Sequence, residues 1–314
     1  MSWTRRALLA ASQSAWLRGR AARLGFVRRA SGRFLPGETI DAALATARGL
    51  ADRGLTTLVT HLGENVGDRT EAEAVTRQYL ELLDRIQAAQ LPAEISVKLT
   101  HLGLDLDSEL CLANLRRLIE RALAATAPAN QTVWIDMEQS PYAEATLQLH
   151  RRARQTSGNV GVCVQAYLRR TERDVEELVA MGATVRLVKG AYSEPPELVI
   201  AKKADVDENF FRLAQRLLGP EARRAGVRAA LATHDRKLIA RINRWAAEQG
   251  IPHEQIEYAM LYGIQRGEQL RLAQEGYRSC VLVSYGTYWF PWYMRRLAER
   301  PANILFLARN LFGG

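Results

Sequence analysis

Two adjacent arginines lie near the C-terminal end of the sequence, in a segment rich in aromatic residues. Residues 285–301 contain six aromatic side chains together with Arg295 and Arg296. A guanidinium grips a carboxylate through two parallel hydrogen bonds, and adjacent guanidiniums repel each other unless an anion lies between them. The segment therefore favours a pocket for a small carboxylic acid with an apolar body. The alternative is a basic helix face paired internally, because Glu299 lies one helical turn from both arginines.

Other polar residues that could do chemistry lie within or just after short apolar runs. Charges inside such runs cost free energy unless they are paired or functional. One such residue could belong to a structural ion pair, but their recurrence on seven successive runs indicates a site. In chain order they are Glu64, Lys98, Asp136, Glu138, Gln165, Arg186, Lys189, Thr233, His234, Asp235 and Glu257.

The chemistry of this set points away from metal or serine hydrolysis. The five histidines are scattered, with His150 and His253 expected on the surface, and no HExxH or GxSxG motif is present. Lys98 or Lys189 could form a Schiff base, as in an aldolase. The glycine of Lys189-Gly190-Ala191 would let a diphosphate approach the backbone. The set favours an anionic substrate and a large anionic cofactor that carries the difficult step.

The elements that must position these residues form a repeating pattern. Each of eight short β-rich runs is followed by a helical pattern of about 10 to 20 residues. Strands that alternate with helices predict a parallel sheet, and eight such units predict a (β/α)8 TIM-type barrel with its active site at the C-terminal strand ends. An open doubly wound sheet is the alternative, but its GxGxxG motif is absent. The runs are 55–63, 94–103, 132–138, 160–168, 184–192, 227–234, 256–262 and 280–286.

Composition and charge separate a terminal arm from a nearly neutral body. The 314 residues are 47% hydrophobic and carry a net charge of +9, which would suit a nucleic-acid partner. However, eight of the 43 basic residues lie within residues 1–37, leaving 35 basic against 34 acidic residues elsewhere. We therefore expect a basic helical arm over residues 1–36, a catalytic barrel over 37–314, and no nucleic-acid partner. Three widely spaced cysteines indicate a reducing compartment.

The arm has the composition of a basic amphipathic helix. Arginines alternate there with apolar residues such as Trp3, Trp16 and Phe26, which would suit the surface of an anionic membrane. The equally weighted alternative is an ordinary helical arm docked on the barrel. No apolar run reaches the length needed to span a bilayer. We expect a cytoplasmic protein with peripheral contact to the inner membrane through residues 1–30, or a matrix protein if the source is eukaryotic.

From about Leu35 to its end, the sequence closely resembles the proline dehydrogenase family, FAD-dependent enzymes that oxidise L-proline to pyrroline-5-carboxylate. Each motif alone is weak, but seven in the expected order form a specific signal. They are Ser96-Val-Lys-Leu-Thr100, Trp134-Ile-Asp-Met-Glu138, Gln165-Ala-Tyr-Leu, Arg186-Leu-Val-Lys-Gly-Ala-Tyr192, Ala232-Thr-His-Asp235, Glu257-Tyr-Ala-Met-Leu-Tyr-Gly263 and Arg295-Arg296-Leu-Ala-Glu-Arg-Pro301.

The resemblance implies a distorted barrel with extra N-terminal helices and its last helix over the mouth. It implies that Lys98, Asp136 and Arg186 are catalytic, that Asp136 pairs with Lys98, and that electrons pass from FAD to a membrane quinone. The implied substrate-binding residues are Glu64, Lys98, Leu261, Trp292, Arg295 and Arg296. The implied FAD-binding residues are Asp136, Met137, Gln165, Arg186, Lys189, Gly190, Ala191, Tyr192, Thr233, His234, Glu257, Arg296 and Glu299.

The sequence departs from the family pattern at two positions that concern the substrate ring. Trp292 and Leu282 stand where many members have tyrosines. These changes bear on substrate identity more than on reaction type. Oxidation of a related cyclic amino acid such as hydroxyproline is the nearest alternative, although Leu282 offers a hydroxyl no hydrogen bond. A Schiff-base lyase on the same barrel, or a catalytically idle barrel tethered to membranes, remains a further alternative.

Overall fold

A computed structural model describes residues 34–124 and 131–289 of the chain. The strands are β1 (Thr56–His61), β2 (Ala93–Val97), β3 (Val133–Ile135), β4 (Val160–Gln165), β5 (Thr184–Val188), β6 (Arg228–Ala232), β7 (Glu257–Leu261) and β8 (Arg278–Tyr285). The helices are α1 (Ile40–Ala51), α2 (Arg69–Ala88), α3 (Ser108–Leu123), α4 (Ser140–Arg154), α5 (Thr171–Ala180), α6 (Lys203–Leu218), α7 (Pro220–Arg224), α8 (Arg236–Glu248) and α9 (Arg266–Gln274). Short 3₁₀ turns lie at Thr100–Leu102, Pro196–Leu198 and His253–Gln255.

The eight strands form one closed parallel barrel, which confirms the predicted fold. Each strand pairs with its sequence neighbours, and β1 pairs with β8 from Thr56 opposite Cys280 to His61 opposite Tyr285. The strands are almost entirely buried, as expected when helices cover one face and barrel side chains the other. Each of the eight predicted runs overlaps one strand, and each extends past the C-terminal end of that strand. The polar ends of these runs belong to loops, which is where a barrel carries its site.

The first described helix lies where the barrel closes. Helix α1 precedes β1 and packs against both β1 and β8. Thr39 begins it by accepting a hydrogen bond from the backbone N–H of Ala42, and Ile40, Leu44 and Leu50 are buried. The outer surface between the first and last strands is therefore covered by a helix from the N-terminal side. The expected arm and the helix expected over the mouth lie outside the described residues.

Salt bridges join neighbouring helices around the outside of the barrel. Exposed pairs of this kind contribute little singly at room temperature, although networks of them gain importance on heating. The pairs join α1 through α6 in chain order, and two further pairs join α6 to α8 and α8 to α9. They are Asp41–Arg85, Glu73–Arg117, Glu109–Arg152, Arg151–Glu177, Glu176–Arg216, Glu208–Arg241 and Arg236–Glu268.

The N-terminal end of the barrel is closed by a buried ionic cluster. The Arg228 guanidinium makes two hydrogen bonds to Glu94, of 2.6 and 3.0 Å, and two of 2.9 Å to Glu257. Trp134 Nε1 donates to Glu94 Oε2 at 2.7 Å. Burial works against the charge on Arg228, but Glu257 and Glu94 outweigh it and raise its pKa.

This cluster corrects one prediction about the site. Glu257 was expected at the C-terminal end of the seventh strand and among the FAD-binding residues. It is instead the first residue of β7, and it is buried beside Arg228 at the opposite end of the barrel. The sequence run 256–262 places Glu257 on a strand but does not show that the strand begins there. Its role is structural.

The cluster makes a prediction about stability. Arg228→Met should lower the free energy of unfolding by about 3–5 kcal/mol, because it leaves Glu94 and Glu257 buried without their partner. Urea unfolding at neutral pH measures this change. Arg151→Met, which breaks an exposed pair with Glu177, is the matched control and should cost less than about 1 kcal/mol. Equal losses for the two variants would show that the cluster contributes no more than a surface pair.

Candidate active site

The structure brings most of the predicted site residues to one end of the barrel. Lys98 and Asp136 directly follow β2 and β3, and Gln165 and Leu261 are the last residues of β4 and β7. Thr233 and His234 follow β6, while Lys189, Gly190, Ala191 and Tyr192 follow β5. Since all strands are parallel, their C-terminal ends form a single mouth. The sequence-predicted residues therefore share one site, apart from Glu257 and those not described.

A buried arginine lies at the centre of this mouth. The side chain of Arg186 on β5 is only 4% exposed and forms an ion pair with Asp136. Ser96 Oγ donates to Asp136 Oδ1 at 2.8 Å and accepts from Arg186 Nη2 at 3.1 Å. Burial disfavours the charged guanidinium, but Asp136 more than compensates and raises the pKa of Arg186. The site therefore holds a fixed positive charge just inside the barrel.

Trp134 forms the floor beneath this arginine. Its ring centroid is 5.3 Å from the Arg186 guanidinium carbon and 5.2 Å from that of Arg228. A side chain at Gly161 would not fit, because its Cβ would lie 2.7 Å from Trp134 Cε3. One indole therefore connects the arginine of the site to the ionic cluster at the far end of the barrel. Such cation–π contacts are stronger where water is excluded.

Lys98 pairs with a different carboxylate from the one expected. Its Nζ lies 2.6 Å from Glu64 Oε2, and both side chains are 18% exposed. The implied pairing of Lys98 with Asp136 is wrong among the described contacts, because Arg186 and Ser96 occupy the Asp136 carboxylate. Glu64 reaches Lys98 from the loop after β1. The pair places a compact ammonium and its counter-ion at the edge of the mouth.

Glu138 adds a further carboxylate near Lys98. It accepts hydrogen bonds from Thr100, at 3.1 Å from the backbone nitrogen and 2.7 Å from the hydroxyl. Burial raises the pKa of Glu138, and the nearby charge of Lys98 offsets only part of this effect. Glu64 and Glu138 therefore both lie near Lys98. Glu64 forms an ion pair with it, whereas Glu138 is buried and hydrogen-bonded to Thr100.

Two histidines line the same edge. The rings of His61 and His101 stack with centroids 5.2 Å apart, and burial lowers their pKa values to about 4 and about 3. Both are therefore neutral near pH 7. Gly63 makes room for the His101 ring, since a Cβ at this position would lie 2.2 Å from His101 Nε2. His150, expected on the surface, is instead fully buried on the barrel-facing side of α4.

On the other side of the mouth, Lys189 is held by two carboxylates. Its Nζ pairs with Asp207 of α6 and lies 3.0 Å from Asp235, the N-cap residue of α8. Burial would raise the pKa of both aspartates, but Lys189, together with Lys203, more than offsets this effect and lowers both pKa values. Lys203 also contacts both acids, 3.7 Å from Asp235. A cationic group is thus fixed beside the segment expected to hold a diphosphate.

Gly190 can only be glycine in this arrangement. Its φ of +105° lies in the left-handed region, and a Cβ there would lie 2.1 Å from Tyr167 Cδ1. The Tyr167 ring packs against the backbone of this segment. The backbone N–H of Tyr167 donates to Lys189 O at 2.9 Å. The geometry agrees with a segment whose backbone is approached closely by a ligand.

The β6 and β7 ends are joined by a histidine. The backbone N–H of Leu261 donates to His234 Nε2 at 2.9 Å, and Asp235 N–H donates to Thr233 Oγ1 at 3.2 Å. Leu261 pairs in register with Leu282 of β8. These two leucines place apolar surface on the same side of the mouth. A polar rim and an apolar wall therefore lie next to each other.

Two buried polar atoms at the centre lack partners within the described residues. They are Arg186 Nη1 and Gln165 Oε1, although Gln165 Nε2 donates to the carbonyls of Met137 and Glu138 at 3.1 and 3.3 Å. Buried polar groups are nearly always satisfied. A buried donor and a buried acceptor, both without partners, fit a polar heterocycle such as the isoalloxazine of FAD. The residues present are therefore compatible with the implied cofactor.

Four of the predicted residues, Trp292, Arg295, Arg296 and Glu299, lie outside the described residues. Their roles in binding the substrate and FAD therefore stay predictions. Four residues with contacts in the site, Ser96, Trp134, Tyr167 and Glu194, were not predicted from the sequence to have a role there. Ser96 had a usable signal, since it lies two residues before Lys98 and strand period places both on one face. The contacts of Trp134, Tyr167 and Glu194 depend on tertiary structure.

A closed parallel barrel with a buried arginine, a paired lysine and polar strand ends places this chain in the β/α-barrel class, with charged and polar side chains lining its mouth. Comparison with known sequences gives the family. A profile of proline dehydrogenase matches residues 43–309, and the chain belongs to the proline dehydrogenase family.

Individual relatives agree with this assignment. The chain is 38% identical over 279 residues to "Proline dehydrogenase 1" of Bacillus subtilis (strain 168), covering 89% of each. It is 33% identical to "Proline dehydrogenase" of Deinococcus radiodurans, covering 90% of each. Among solved structures, proline utilization A (PutA) from Bdellovibrio bacteriovorus, inactivated by N-propargylglycine, is similar with a TM-score of 0.79 and 26% identity. That match covers 91% of this chain and 34% of the larger protein.

Proposed function

We propose that this chain oxidises L-proline to pyrroline-5-carboxylate in proline catabolism, using FAD. The observation that carries the proposal is the buried Arg186–Asp136–Ser96 group, together with the unpartnered atoms Gln165 Oε1 and Arg186 Nη1, in a chain of this family. A flavin supplies the hydride acceptor that no side chain of the site provides. The protein's contribution is binding, orientation and exclusion of water.

Several residues would hold the cofactor. Gln165, Arg186 and Met137 are at the centre of the mouth and would contact the isoalloxazine. The segment after β5 and the end of β6 would hold the remainder, with Lys189 as the fixed cation. The residues assigned to that part are Lys189, Gly190, Ala191, Tyr192, Thr233 and His234. Arg296 and Glu299 would contribute from outside the described part.

The substrate would be held by its carboxylate and by its ring. Lys98 would bind the carboxylate together with Arg295 and Arg296, with Glu64 balancing the lysine charge. Leu261 and Trp292 would form the wall beside the ring. Fixing one end of a small rigid amino acid orients the carbon next to nitrogen, and such positioning supplies much of a rate enhancement. Asp136 would act through Arg186, whose charge and direction it fixes.

The ion pairs argue against the Schiff-base alternative. A lysine nucleophile must be neutral, and it reaches that state through desolvation or a neighbouring cation. Lys98 and Lys189 each form ion pairs with carboxylates instead. A related cyclic amino acid remains the second candidate substrate. Leu282 supports it, since it replaces a tyrosine of the family beside Leu261.

Flavin binding and reduction by proline test the proposal directly. The purified chain with FAD should be yellow, with bands at about 370 and 450 nm. Anaerobic L-proline should bleach the band near 450 nm, and bleaching by hydroxyproline and N-methylproline, measured in parallel, should be slower. Faster bleaching by hydroxyproline would transfer the assignment to that substrate. A colourless protein that covalently traps a carbonyl compound on borohydride treatment would favour the lyase.

The role of Lys98 is tested by its removal. Lys98→Met should reduce kcat/KM for proline by roughly 10- to 100-fold, because a charged hydrogen bond to a bound ion contributes about 1.5–3 kcal/mol. Steady-state kinetics measure this, with FAD content checked by absorbance. Lys237→Met, on the exposed side of α8, is the control and should leave kcat/KM unchanged. An unchanged value for Lys98→Met would remove the lysine from the carboxylate site.

We also propose that a membrane quinone takes the electrons and that residues 1–30 bring the protein to the membrane surface. The support is the charge of the arm, whose eight arginines stand against no acidic residue within residues 1–37. Within the described residues, no helix is both long enough and apolar enough to cross a bilayer. Surface attraction of this kind acts through anionic lipids and weakens with salt.

Vesicle binding tests the arm. Deletion of residues 1–30 should reduce binding to vesicles containing phosphatidylserine, with the larger difference at low salt. Co-sedimentation of the full chain and the truncated chain measures this, and neutral phosphatidylcholine vesicles are the control. Equal binding of both chains to anionic vesicles would assign the arm to the protein's own surface.

A further inference from the structure

The segment after β5 forms a long loop, residues 189–202, in which every residue is partly or fully exposed. Its first residues are those expected to hold the ribityl and diphosphate groups. Its far end is held by a short antiparallel bridge between Val199 and Leu168, with Ile200 N–H donating to Tyr167 O at 2.7 Å. Between these two anchored ends, the loop needs another contact if its first residues are to keep one conformation.

Glu194 makes that contact. One carboxylate oxygen accepts from the backbone N–H of Ser140 at 2.9 Å, and the other accepts from the Ser140 hydroxyl. Tyr167 OH also donates to Glu194 Oε1 at 3.3 Å. Ser140 is the first residue of α4, where the backbone N–H groups have no partner inside the helix. A carboxylate at that position also interacts favourably with the helix dipole.

The two segments joined in this way are both parts of the site. Ser140 follows Asp136 by only four residues, through Met137 and Glu138. Glu194 follows Gly190 by the same number of residues. Tyr167 lies between the two, because its ring supports Gly190 and its hydroxyl reaches Glu194. The carboxylate thus connects the loop after β5 to the loop after β3, across the intervening β4 end.

We propose that Glu194 is a positioning residue for the flavin. It holds residues 189–192 against the loop after β3, so that the two sides of the cofactor site keep one separation. The inference rests on the proposed function, since it assigns a role toward FAD. Glu194 acts through Ser140 and Tyr167, and its loss should therefore weaken flavin binding rather than alter proline turnover once FAD is saturating.

The experiment measures the dissociation constant of FAD from the apoprotein, by quenching of flavin fluorescence. Glu194→Ala should raise it about 10-fold or more, as expected when a charge-assisted hydrogen-bond set is removed. Glu194→Gln keeps one acceptor for Ser140 and should give a smaller rise. Glu197→Ala, an exposed glutamate of the same loop, is the matched control and should stay within about twofold of wild type. A double variant with Ser140→Ala should be less than additive, since both changes break the same contact.

A second readout needs no flavin. Chymotrypsin should cut the apoprotein within residues 189–202 faster in Glu194→Ala than in wild type or in Glu197→Ala. Equal cleavage, or equal FAD affinity in all the variants, would overturn the inference. Failure of the wild-type chain to bind FAD would overturn the proposed function and with it the flavin role. The cleavage rates would then still decide whether Glu194 holds the loop.

Discussion

The structure depends on one buried positive charge, the guanidinium of Arg186 inside the barrel mouth. Removing such a group from water costs several kcal/mol unless a partner and further hydrogen bonds compensate. Asp136 and Ser96, at the C-terminal ends of β3 and β2, supply both. The three residues come from three strands, so only the closed barrel brings them together. The charge at the site is therefore stabilised by contacts that form only when the strands assemble into the barrel.

The arrangement continues through the barrel interior. Trp134 separates Arg186 from Arg228, and each guanidinium has its own carboxylates, Asp136 above and Glu94 and Glu257 below. An indole between two cations prevents their close approach while it contributes attraction to both. A barrel of this size is filled with side chains, so any shift of Trp134 would be transmitted to Arg186. The Arg228 cluster at the N-terminal end of the barrel thus helps to fix the position of Arg186 at the mouth.

The barrel could be predicted from the sequence because its strands are short apolar runs at regular spacing, a pattern that results from burial on both faces. It also identified which strands carry Lys98, Asp136, Gln165 and Arg186. It failed for Glu257 because strand membership does not reveal which end a residue occupies until the strand's first residue is known. The partner of Lys98 was also wrong, since the choice between Glu64 and Asp136 depends on which carboxylate Arg186 has already taken. Glu194 gave no signal, as a polar residue in an exposed loop is usually solvated.

Whether the position of a site residue could be predicted depends on whether a strand or a loop carries it. Arg186 lies on a strand and Asp136 directly follows one, with its backbone N–H bonded to Val97 O, so barrel hydrogen bonds fix both positions and the sequence pattern can predict them. Glu64 reaches its partner from a loop, and Glu194 lies in one, so their positions depend on which ion pairs form. The Lys98–Glu64 pair is neutral as a unit, and a substrate carboxylate would add a negative charge beside it. Stable binding then requires further cations at the same place, a requirement that the adjacent guanidiniums of Arg295 and Arg296 would meet.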